Sequence, residues 1–87
     1  MLTVKLVQYD GHEQIHPAKR VWADDMPENG VNAKRVYALV EDGAEPLTFQ
    51  GYGAVYVMNS SGATIANYFL GHGNGSVDMA VHKQTAT

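Results

Sequence analysis

The feature that most constrains this chain is a long central segment without charge. No Asp, Glu, Lys or Arg occurs between residues 46 and 77, in a chain of 87 residues. Charged side chains normally cover much of the surface of a globular protein. The segment is therefore expected to be core, or to lie partly against a partner.

Apolar residues recur at every second position along most of the chain, which is typical of half-buried strands. The strands are predicted at residues 2–6, 21–23, 36–40, 54–58, 63–69 and 77–81, with a further strand starting at His12 and a turn at residues 71–75. Asp10-Gly11 predicts a two-residue type I′ turn, and Pro17 predicts a break, a bulge or a sheet edge. No segment has a convincing helical period. We therefore expect an all-β fold, a small antiparallel barrel or sandwich of five to seven strands, with at most a short helical turn near residues 25–30.

Length and composition predict a single small β domain, residues 1–87. A chain of this length buries roughly two-thirds of the surface that its unfolded form exposes, which is enough for one core. Hydrophobic residues make up 45% of the sequence, so the chain differs from a disordered tail. The predicted core residues are Leu2, Val4, Leu6, Ile15, Val36, Leu39, Val55, Val57, Ile65 and Phe69.

Several classes of protein are excluded or disfavoured by composition. Cysteine is absent, which rules out disulfides and thiol catalysis. No apolar run reaches the roughly 18 residues of a membrane span, and the first residues lack the apolar block of a signal peptide. We expect a cytoplasmic protein with no cofactor and no membrane contact. The short, acidic, cysteine-free chain, complete from Met1, is similar in style to small proteins carried by phages, plasmids or integron cassettes, so an origin on a mobile element is a hypothesis.

The clearest hairpin surrounds Asn59-Ser60-Ser61-Gly62. Asn is favoured at the first position of a type I turn, and Gly at the fourth position accepts a positive φ. The predicted register pairs Asn59 with Ala63 and Val57 with Ile65. One face then carries Val55, Val57, Ile65 and Phe69, and the other carries Tyr56, Met58, Thr64, Ala66 and Tyr68.

Neither predicted face of this hairpin has a charge. A sheet with one solvent-exposed face normally carries polar residues on that face. Aromatic residues and methionine are enriched at protein interfaces, and twofold pairing is the commonest assembly. We therefore expect a homo-oligomer, a dimer, whose interface contains Tyr56, Met58 and Tyr68. Cover by the first strand or by residues 77–81 of the same chain is the alternative.

The segment from His12 to His16 matches His-Glu-x-x-His, a zinc-binding signature that requires a helix. Gly11 precedes the motif and Pro17 follows it, so there is no room for that helix. In an extended strand the two histidines would lie about 13 Å apart. We therefore expect no metal site here.

Two segments, residues 18–23 and 33–38, share the pattern Ala-Lys-Arg-Val-aromatic-Ala. Basic groups beside stacking rings are typical of sites for single-stranded nucleic acid. The candidates for such a site, or for another anion site, are Lys19, Arg20, Trp22, Lys34, Arg35 and Tyr37. Alternation places the Lys and the Arg of each pair on opposite faces, and the net charge is −3. Both observations disfavour nucleic acid as the ligand.

No catalytic constellation is visible, which favours a non-enzymatic binding or protein-interaction module with an unknown protein or small-molecule partner. The first alternative is a binder of single-stranded nucleic acid or anions through the two Lys-Arg pairs. The second is a small enzyme that places a histidine beside a carboxylate. Its candidate residues are His12, His16, His72 and His82, with Glu13 or Asp78.

Overall fold

The computed structural model describes residues 1–72, which form seven strands and one 3-10 helix. In chain order they are β1 (Leu2–Val7), β2 (Glu13–Ala18), β3 (Arg20–Asp25), the 3-10 helix (Pro27–Asn29), β4 (Lys34–Leu39), β5 (Leu47–Phe49), β6 (Tyr52–Met58) and β7 (Thr64–His72). The all-β class and the helical turn near residues 25–30 are confirmed. The strand predicted at residues 77–81 and most of the turn predicted at residues 71–75 lie outside the described residues. Within residues 1–72, no helix has the length and apolar character needed to cross a membrane.

The strands form two antiparallel sheets that share one core. The four-stranded sheet has the order β2-β1-β6-β7, and the three-stranded sheet has the order β3-β4-β5. The chain passes between them at Lys19, whose backbone N–H donates to the Leu39 carbonyl at 2.7 Å. In residues 1–72 the sheets stay separate and form no closed barrel, so the arrangement is sandwich-like. Pro17 lies on β2, an edge strand, where its missing N–H costs no ladder bond.

The core lies between the two sheets and contains residues of both. Its buried residues are Val4, Leu6, Ala18, Val36, Ala38, Phe49, Val55, Val57 and Leu70. Two predicted core residues are wrong, because Ile15 is 63% exposed and Ile65 is 55% exposed. Leu39 and Phe69 are only half-buried, whereas the fully buried Phe49 and Leu70 were not in the predicted set.

A β-bulge in β7 explains the errors on that strand. Met58 lies opposite Thr64, but Val57 lies opposite Ala66 rather than Ile65. Ile65 is the extra residue on the bulged strand. Because one inserted residue exchanges the two faces of a strand, Ala66 and Tyr68 pack against the core and Ile65 does not.

The hairpins β1–β2 and β6–β7 have three-residue loops of the same form. In the second, the Gly62 N–H donates to the Asn59 carbonyl at 3.0 Å, and Gly62 has φ +89° as predicted. In the first, the Gly11 N–H donates to the Gln8 carbonyl at 2.9 Å. The predicted type I′ turn at Asp10-Gly11 is wrong, because Asp10 lacks the positive φ that such a turn requires.

Candidate functional site

The two copies of the Ala-Lys-Arg-Val-aromatic-Ala pattern are neighbours in the three-stranded sheet. β3 and β4 pair antiparallel in a register that places Trp22 opposite Tyr37. In the two flanking pairs a valine lies opposite an alanine: Val21–Ala38 and Val36–Ala23. The repeat therefore encodes a strand pair with an approximate local two-fold axis through the Trp22–Tyr37 pair.

The outer side of this strand pair carries four of the six predicted anion-site residues, which we call the arginine–aromatic face: Arg20, Trp22, Arg35 and Tyr37. The Trp22 and Tyr37 rings are stacked, with centroids 5.5 Å apart and an interplanar angle of 17°. The Arg20 guanidinium carbon lies 5.1 Å from the centroid of the Trp22 ring. At the other end, Arg35 Nη1 donates to Tyr37 Oη at 3.4 Å. The face is thus a ladder of guanidinium, ring, ring and guanidinium.

Arg35 is held in place by groups from outside the two strands. Its Nε donates to Gln50 Oε1 at 2.8 Å, and its Nη2 lies 3.0 Å from Met26 Sδ. The hydrogen bond to Tyr37 raises the pKa of Arg35, and Glu28 and Asp24 add to the rise. Arg35 is therefore a permanent, positioned cation. Nothing in the sequence pattern indicated Met26 or Gln50, because both approach from loops.

The two lysines of the predicted site do not contribute to this face. Lys19 Nζ lies 3.1 Å from Asp42 Oδ2, and Lys34 Nζ pairs with Asp25 Oδ1. The ammonium of Lys34 lowers the pKa of Asp25. In each Lys-Arg pair, the lysine therefore pairs with a carboxylate and the arginine contacts an aromatic side chain.

One carboxylate shares the surface with the arginines. Asp24 lies directly opposite Arg35 in the strand register and on the same face of β3 as Trp22. The face consequently has an exposed cation at the Arg20 end and a partly compensated cation at the Arg35 end. This arrangement suits binding, since a guanidinium stays protonated and cannot serve as a proton shuttle at neutral pH.

The zinc-like motif forms no helix: β2 begins at Glu13, one residue after the predicted start at His12. His12 is in the exposed β1–β2 loop, where its Nδ1 lies 2.7 Å from Asp10 Oδ2. His16 is in β2, with its ring centroid 5.8 Å from that of Phe49 and its Nε2 3.2 Å from Gln14 Oε1. Within the described part of the chain, no three His, Cys, Asp or Glu side chains are grouped to hold a metal ion. His72 ends β7, and His82 lies outside the described residues.

A second surface is the outer side of the four-stranded sheet, which we call the four-strand face. Three rows of residues cross it from β2 to β7: Glu13-Val7-Ala54-Phe69, Ile15-Lys5-Tyr56-Asn67 and Pro17-Thr3-Met58-Thr64. Of the predicted interface residues, Tyr56 and Met58 lie here. Tyr68 does not, because the bulge turns it toward the core, where it lies opposite Val55.

Comparison with known proteins gives no family or relative from which a role can be transferred. No protein-family model, curated protein or solved structure matches the chain. Function therefore has to be inferred from the surfaces of the chain itself.

Proposed function

We propose that the protein is a non-enzymatic binding module that takes its ligand on the arginine–aromatic face. The supporting observation is the ladder itself, in which two stacked rings lie between two guanidinium groups. A stacked pair of rings on an open sheet is a platform for another planar group. A guanidinium at each end pairs with phosphate or carboxylate oxygens through two parallel hydrogen bonds.

Single-stranded nucleic acid is the ligand that combines these chemistries. Its bases stack on aromatic side chains, and its phosphates repeat along the backbone. Alternation places the two lysines away from this face, as predicted, but it leaves both arginines on it. The two arginines share one face because β3 and β4 pair about Trp22 and Tyr37.

The chain offers a direct signal for this test, because Trp22 is its only tryptophan. Titration of an unlabelled oligothymidylate of twelve nucleotides at low salt should quench the tryptophan emission, since a ligand that pairs with Arg20 changes the surroundings of the Trp22 ring against which that guanidinium lies. Arg20→Gln should weaken the binding by roughly fivefold to tenfold, the effect of one lost charge-assisted contact.

The matched control is Lys19→Gln, which removes the same charge from the adjacent residue. Lys19 lies outside the face and already pairs with Asp42, so this variant should bind within about twofold of the wild type. An unchanged emission would contradict the proposed ligand. Equal losses in the two variants would mean that the oligonucleotide responds to overall charge and does not use the ladder.

A further inference from the structure

The four-strand face is largely apolar and open, although it belongs to a chain with ample charge elsewhere. Tyr56 is 37% exposed and Ile15 is 63% exposed, and they flank Lys5 in the middle row. Ile65, displaced by the bulge, is 55% exposed on β7. Val7 and Met58, in the outer rows, are half-buried. Exposed apolar residues concentrated on one sheet face, rather than scattered singly over the molecule, mark interaction surfaces.

The charges on this face balance within it. Its three rows contain one cation and one anion, Lys5 and Glu13, whose Nζ and Oε1 atoms lie 3.5 Å apart. Their side chains are 34% and 49% exposed, so both can still meet a partner. The face is therefore electrically neutral on a chain whose net charge is −3.

We propose that the four-strand face is the interface of a homodimer, in which a second copy packs face to face about a two-fold axis. Such an axis can bring Lys5 of each copy toward Glu13 of the other, so that the charges are complementary without any other partner. The arginine–aromatic face carries two arginines against one carboxylate, Asp24, so pairing with itself would leave an excess of positive charge in the contact. The inference involves different residues from the proposed ligand site and does not depend on it.

The size of the face sets the strength of the contact. Four strands spaced by about 4.8 Å and three rows along each strand give a flat footprint of roughly 400 Å². Specific interfaces bury about 800 Å² of accessible surface per partner. The footprint is about half of that area, which is typical of weak, transient contacts, so the dimer forms reversibly.

Sedimentation equilibrium of the full chain from about 5 to 200 μM tests the proposal. The mass should rise with concentration toward twice the 9.5-kDa mass of one chain. Tyr56→Glu should weaken the association at least tenfold, since it places a charge in a dry contact. Val31→Glu is the matched control, because Val31 is 85% exposed in the loop after the 3-10 helix and lies outside the face. It should associate like the wild type. Thermal unfolding by circular dichroism shows that each variant is folded.

A charge exchange tests the identity of the partner. Lys5→Glu makes the face doubly negative and Glu13→Lys makes it doubly positive, so each variant alone should associate at least fivefold more weakly than the wild type. An equal mixture of the two should recover association by forming heterodimers. A wild type that stays monomeric at all concentrations would overturn the proposal. So would equal association of the Tyr56→Glu and Val31→Glu variants, or a mixture that associates no better than its components.

Discussion

Lys19 and Arg20 are adjacent in the chain and carry the same charge, yet they meet different groups. Successive side chains of extended backbone point to opposite sides. Lys19 therefore reaches Asp42, whereas Arg20 lies over the Trp22 ring. The weakly hydrated, planar guanidinium stacks on aromatic faces far better than an ammonium does. At position 20, the planar shape of the guanidinium is therefore as important to the proposed site as its positive charge.

His16 gives a residue-scale prediction about pH. Burial lowers the pKa of His16 below the ordinary value of about 6.5, so the unfolded chain takes up this proton at a higher pH than the folded chain does. Stability should therefore fall as the pH drops through about 6.5, and this contribution should level off below the folded pKa. The measurement is the thermal midpoint between pH 7.5 and pH 5, where most carboxylates remain ionised.

One variant separates this effect from other titrations. His16→Gln removes the titrating group on the inner side of β2 and should make the thermal midpoint nearly independent of pH across this range. If the His16→Gln variant retained the full slope, the pH dependence would have to be assigned elsewhere.

At the scale of elements, the β6–β7 hairpin depends on its loop. Asn59 Oδ1 accepts hydrogen bonds from the backbone N–H groups of Ser61 and Ala63, each at 3.0 Å, and Gly62 supplies the positive φ. Gly62→Val should destabilise the fold by roughly 1 kcal/mol or more, since a β-branched residue is strongly disfavoured there. Asn59→Asp keeps an acceptor oxygen at the Oδ1 position and should have little effect. Urea denaturation compares the variants, and equal midpoints for Gly62→Val and the wild type would refute the loop assignment.

The same hairpin shows how far alternation along a sequence can predict a fold. The turn signal located the loop and both strands, because Asn and Gly favour specific backbone angles. The side chains after Thr64 were assigned to the wrong faces, because a bulge leaves no signature in the apolar pattern. β5, with three residues, is too short to show a period at all. Alternation also separated Arg20 from Lys19 correctly, but only the pairing of β3 with β4 could show that Arg20 and Arg35 share a face.

At the scale of the whole molecule, net charge limits how strongly the proposed ligand binds. The chain carries −3 overall, so the attraction comes from the local arrangement of two arginines and not from a broad basic surface. Two neutralised phosphates give a slope of about −1.4 in a plot of log affinity against log salt concentration for single strands. Tryptophan quenching at several salt concentrations measures this slope. A slope about twice as steep would mean that the two lysines also take part, which would contradict the division of the two Lys-Arg pairs.

The approximate two-fold axis between β3 and β4 affects the orientation in which a nucleic-acid strand could bind. A nucleic-acid strand differs when read from its two ends, but a symmetric ladder offers the same order of groups to either orientation. Asp24 breaks this equivalence, because it lies opposite Arg35, whereas Leu39 takes the matching place opposite Arg20. The polarity with which a strand would cross the proposed site therefore depends on this carboxylate as well as on the difference between Trp22 and Tyr37.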